Sequence, residues 1–200
     1  MDIPVNTSQH RKYFAQRFGL WLAIATIIMM FGGFTSAYIV KKANIQNWHV
    51  FPLPIKFLYS TILILISSGT LVLASKAYSR AAYRLYGRLL GLTCLFGITF
   101  LVLQVFAWKD MIAQGLMLNE DTAAAFLYII SGMHALHVVA GVFILFYSWV
   151  MLKRKIARSV LIEDKLPSAS GLNRVSMLAT FWHFVDILWI YLFLFLLLYR

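Results

Sequence analysis

The sequence predicts an all-α fold: a polytopic membrane bundle of five transmembrane helices, with a cytoplasmic N-terminus and a periplasmic C-terminus. Three observations predict it. Five apolar runs have membrane-spanning length, the composition is too apolar for a water-soluble particle, and lysine and arginine are shared unevenly between the connections.

A helix crosses the hydrocarbon in about 20 apolar residues. Such runs cover Phe18–Val40, Ile55–Ser75, Leu89–Trp108, Ala123–Leu152 and Val175–Tyr199. The first exceeds the roughly 7–15 apolar residues of a signal-peptide core, so it reads as an uncleaved span, although Thr35-Ser36-Ala37 has the look of a poor cleavage site. The fourth is long enough to tilt or to emerge from the membrane. No repeat or low-complexity tract divides the chain, which reads as a single membrane domain over residues 1–200.

Of the 200 residues, 62% are hydrophobic and 12% charged, about half the charge fraction of a soluble domain. The bilayer must therefore be the solvent for most of the chain. A net charge of +11 raises the question of nucleic acid. The basic residues, however, sit between apolar runs and form no single face, which is a topology pattern; no nucleic-acid partner is expected. Cys94 is the single cysteine, so neither an intrachain disulfide nor a cysteine metal cluster can form.

Orientation follows from the same charges. Arg11, Lys12 and Arg17 precede the first span. Lys76, Arg80, Arg84 and Arg88 lie in the second connection. Lys153, Arg154, Lys155, Arg158, Lys165 and Arg174 lie in the fourth. These thirteen share one side, against five on the other: Lys41, Lys42, Lys56, Lys109 and Arg200. The positive-inside rule puts the larger group in the cytoplasm.

The connections carry further expectations. Pro167-Ser168-Ala169-Ser170-Gly171 reads as an irregular linker. Glu120-Asp121-Thr122 precedes an alanine-rich run, where acids suit the helix dipole. Gly33 and Ala37, and Gly87 and Gly91, are small residues four apart, a spacing that lets helices approach closely. Trp48, Phe51, Trp108, Trp149 and Tyr199 lie near span ends, as interfacial aromatics do.

Ionisable groups at membrane depth are costly and usually face protein or water. Four fall there: His134, His137, His183 and Asp186; His10 and His49 are assigned to loops. His134 and His137 are three apart on one helix. They read either as ligands to haem or metal, or as neutral imidazoles hydrogen-bonded to a neighbouring helix. Alone they cannot supply both axial ligands of a haem; either one together with His183 could. No second ligand pair or carboxylate cluster supports such a site. His183 and Asp186 are also three apart, within reach of each other as a structural pair or a proton relay. Asp186 is the one acid placed in the hydrocarbon, so a continuous acidic path lacks members. The four are therefore expected to be structural polar residues, with no catalytic, cofactor-binding or metal-ligating residue in the chain.

The motif around the last pair is specific. Phe181-Trp182-His183-Phe184-Val185-Asp186-Ile187-Leu188-Trp189 resembles the W-H-F-V-D-x-x-W segment of the final helix of haem-copper oxidase subunit III. Leu127-Tyr128-Ile129-Ile130-Ser131-Gly132-Met133-His134-Ala135-Leu136-His137-Val138 is similar to that family's F-Y-x-x-T-G-x-H-G-L-H-V. Gly19-Leu20-Trp21 through Phe31-Gly32-Gly33 to Ala37-Tyr38 resembles its first core helix. Ser67-Ser68 and Gln104 stand where the family has its S-S and its glutamine.

The resemblance implies a non-catalytic subunit of a bacterial terminal oxidase, in the five-helix form that lacks the first two helices of longer members. It implies that this chain holds no cofactor, that haem and copper belong to subunit I and other partners such as subunit II, and that phospholipid binds between its helices. It also implies residence in the bacterial cytoplasmic membrane and a role in aerobic electron transport coupled to proton pumping. Two family glutamates are absent: Ile27 follows Thr26 where S-E is usual, and Ala107 replaces the acid of Q-A-x-E-Y. Roles that depend on those acids do not carry over. The competing readings are subunit III of a quinol oxidase or a nitric oxide reductase-associated homologue and, more distantly, a membrane b-type cytochrome or a small transporter.

Overall fold

In a computed structural model, residues 7–45, 48, 53–116, 122–157 and 167–199 are described, with side chains from residue 11 onward. They form five helices: α1 Thr7–Asn44, α2 Ile55–Ser79, α3 Tyr83–Ala113, α4 Thr122–Ala157 and α5 Ala169–Tyr199. Each is long and apolar enough to cross a membrane, and no strand occurs among the described residues. At 38 residues, α1 is about 57 Å long at 1.5 Å per residue, well beyond the hydrocarbon thickness. His10, expected in a loop, lies on α1. His49, Phe51, Glu120, Asp121, Arg158, Lys165 and Arg200 fall outside the described residues.

The helix ends differ from the sequence expectation for local reasons. The Pro167–Gly171 segment is a helix start instead of a linker. Ser168 is the N-cap of α5: its hydroxyl accepts the Gly171 N–H at 3.2 Å, and its carbonyl accepts the Leu172 N–H at 3.0 Å. At the end of α2, Ala81 takes φ 59°. The Ala81 and Ala82 N–H groups then return to Tyr78 and Ala77, closing a Schellman turn on an alanine and bringing α3 in after three residues. The end of α3 repeats that turn with a glycine, Gly115 at φ +78°.

Helices α2, α3, α4 and α5 close a ring in that order, and α1 stands outside it against α4 and α5. Hydrogen bonds tie α1 to α5 from end to end. Arg17 reaches Asn173, and Tyr191 reaches Thr35, both across 156 residues of sequence. The constant separation means that the two helices run parallel and in register. At the far end Tyr38 and Lys42 both donate to the Tyr199 carbonyl.

Two tryptophans of α5, seven residues apart, fill the ring. Trp182 occupies holes left by glycines: a Cβ at Gly97 would lie 2.7 Å from its ring, and one at Gly141 3.0 Å. Gly87 and Gly91 pack under Leu152 and Trp149, in keeping with the small-residue pairing, whereas Gly33 has nothing among the described residues within 4 Å of a Cβ. Trp108 and Trp149, five and eight residues before the ends of α3 and α4, turn their indole N–H groups inward, to the Ser131 hydroxyl and the Gly87 carbonyl.

Polar residues inside the helix ring as the candidate functional site

The polar side chains of the ring are set by α5. Its two tryptophans donate to hydroxyls of α2, Trp182 to Ser67 at 3.1 Å and Trp189 to Thr61 at 2.9 Å. Moving forward along α5 means moving backward along α2, as antiparallel neighbours must. These bonds fix the rotation of α5 and therefore where His183 and Asp186 point. Thr61 was not singled out from sequence; the seven-residue spacing of Trp182 and Trp189 was the available signal, since it puts both on one helical face.

His183 is half-buried, and its Nδ1 lies 2.7 Å from the Ser68 hydroxyl on α2. The pairing of His183 with Asp186 expected from their spacing is not formed. Asp186 is 2% exposed and packed inside the ring, and neither carboxyl oxygen has a hydrogen-bond partner. Ser68 is next to Asp186 too, with its hydroxyl turned to the imidazole of His183. Residues three apart on a helix diverge by about 60°; here that angle sends the imidazole to the edge of α2 and the carboxyl into the ring.

His134 and His137 also diverge. His134 is fully buried beside two aromatic rings, with ring centroids 4.8 Å from Trp189 and, edge to face, 5.8 Å from Phe100, and neither ring nitrogen is hydrogen-bonded. His137 turns towards α1, its Nδ1 2.7 Å from the Met133 carbonyl and its ring 5.9 Å from Phe31. The expected hydrogen bond from an imidazole to a neighbouring helix is made by neither histidine: His137 bonds within its own helix and His134 has no hydrogen-bond partner. Gln104 on α3 is likewise buried with its amide unpaired.

This arrangement bears on the rival functions. A haem between His134 and His183 would need the space that Trp182 and Trp189 fill. His134 meets α5 at Trp189, six residues or about 9 Å beyond His183. Among the described residues no three His, Cys, Asp or Glu side chains come together as a metal-ligand set. What the ring can do is hold polar groups in an apolar, tightly packed interior. Outside it, α1 and α2 do not touch, which opens a cleft over α5 of about 820 Å³ lined by Arg17, Lys76, Asn173 and His183.

No family model matches the chain. It is 29% identical to cytochrome bo(3) ubiquinol oxidase subunit 3 of Pseudomonas aeruginosa over 180 residues, which is 88% of this chain and 81% of that protein. It is 23% identical to cytochrome c oxidase subunit 3 of Bacillus sp. PS3 over 184 residues, again 88% and 81%. It is 28% identical over 183 residues to heme-copper oxidase subunit I+III of Aeropyrum pernix, covering 86% of this chain and 21% of that longer protein.

Proposed function

The chain belongs to the haem-copper oxidase subunit III family, and on that premise we propose that it is the accessory third subunit of a bacterial cytochrome c oxidase. In this reading it lies in the cytoplasmic membrane with its N-terminus inside, packs against subunit I, assembles with subunit II and holds phospholipid between its helices. Oxygen reduction, with its haem and copper, takes place in the partner subunits. The chain supports that reaction through assembly and supplies no reacting group.

The observation that carries this reading is the extent of the match. Proteins named as subunit 3 of oxidases align with nearly the whole chain and over about four-fifths of their own length. The relative named subunit I+III joins such a segment to a larger partner in one polypeptide, which supports direct contact with subunit I. The relatives named for ubiquinol oxidases favour a second reading, the same subunit in a quinol-oxidising complex.

Purification in mild detergent, with identification of the co-purifying chains and their haems, tests the proposal. A haem-copper subunit I is the expected partner. A copper-binding subunit II or a fused cytochrome c assigns the cytochrome c oxidase, and their absence from an intact complex assigns the quinol enzyme. A chain that purifies without subunit I and carries stoichiometric haem refutes both.

A further inference from the structure

A cavity of about 430 Å³ opens at the basic end of the ring, between the last turns of α4, the first turns of α5 and the α2–α3 turn. Three tyrosines line it: Tyr78, Tyr83 and Tyr86. Their rings are buried and stack edge to face, with Tyr78 centroids 5.5 Å from Tyr83 and 4.9 Å from Tyr86. The Tyr78 hydroxyl rests against Gly171, where a Cβ would collide with it, so that phenol points at the first turn of α5. Lys155 and Arg174 stand exposed at the rim. Among the described residues no carboxylate answers these two cations. Asp110 pairs with Lys56 at the other end of the bundle, and Asp186 is inside the ring. Nor does any described group bond the Tyr78 or Tyr86 hydroxyl.

The cavity thus combines neutral O–H donors, two cations and the positive end of a 31-residue helix. Donors of this kind with no acceptor of their own match the oxygens of an anion. Its remaining wall is apolar, formed by Met151, Leu152, Val175 and Leu178.

We propose that this cavity binds a phosphate group, held by Lys155, Arg174 and the hydroxyls of Tyr78 and Tyr86, with the apolar wall receiving the chain of an anionic phospholipid. The proposal rests on the reading of the chain as an oxidase subunit that holds lipid, and gives that lipid a place.

The intact complex, reconstituted in phosphatidylcholine nanodiscs, is titrated with phosphatidylglycerol in one arm and with inorganic phosphate in the other. The readout is the thermal midpoint for release of this subunit. Phosphatidylglycerol is expected to raise the midpoint. Lys155→Gln and Arg174→Gln should each require about tenfold more of it, the usual weight of a lost hydrogen bond to a charged group. Tyr86→Phe removes a hydroxyl, keeps the ring and should shift the titration in the same direction. An equal response to inorganic phosphate supports the site with free phosphate as its source. A wild-type titration that none of the three variants moves overturns the proposal. Subunit retention and the partner's haem spectrum are read on the same samples, so failure of the oxidase reading appears separately, as loss of those signals.

Discussion

Ser68 on α2 and His183 on α5 are joined side chain to side chain at 2.7 Å, while Asp186, one turn from His183, is joined to nothing in the chain. The histidine therefore belongs to the α2–α5 contact, and the carboxyl is a separate group inside the ring. Ser68→Ala should loosen that contact by about 0.6 kcal/mol, the usual size of an intramembrane hydrogen bond. Ser68→Thr should restore it. The thermal midpoint for release of the subunit from its complex measures both.

Asp186→Asn should keep the subunit bound and turnover normal, because no cation among the described residues pairs with the carboxyl. Asp186→Leu strands no partner within the chain, so the roughly 3–5 kcal/mol penalty of breaking a buried ion pair does not arise. Subunit retention through detergent purification, measured beside turnover, checks both variants. Loss of turnover in Asp186→Asn with the subunit still bound would replace the structural role by proton transfer.

Gly97→Ala should destabilise the bundle by about 1–3 kcal/mol, the range for overpacking a filled core. Its Cβ would stand 2.7 Å from both Trp182, which is fully buried, and Val142. Gly33→Ala is the contrast: its Cβ meets nothing among the described residues, so any loss of assembly there points to a partner against α1. Thermal release of the subunit separates the two cases.

A cysteine introduced at Ser170, in a chain with Cys94→Ala, should react with impermeant thiol reagents from the cytoplasmic side. The warrant is the excess of basic residues at that end. Labelling from the periplasm alone would reverse the proposed orientation.

The number, order and approximate extent of the helices were legible in the sequence, because membrane thickness and loop charge act on the chain as one-dimensional quantities. Any run of about 20 apolar residues meets the same hydrocarbon whatever its neighbours do. The histidine motifs likewise marked four buried or half-buried polar residues by position alone. The start of α5 was not legible, because proline, serine and glycine mark both linkers and helix caps; the Ser168–Gly171 hydrogen bond distinguishes them. Tertiary structure decided which of the four meets what. That depends on the rotation and register of α5, set by Trp182 seated at Gly97 and Gly141 and by the indole bonds to Ser67 and Thr61. Spacing of three placed His183 and Asp186 on neighbouring directions of one helix, and the packing of α2 then took the imidazole for Ser68 and left the carboxyl inside the ring.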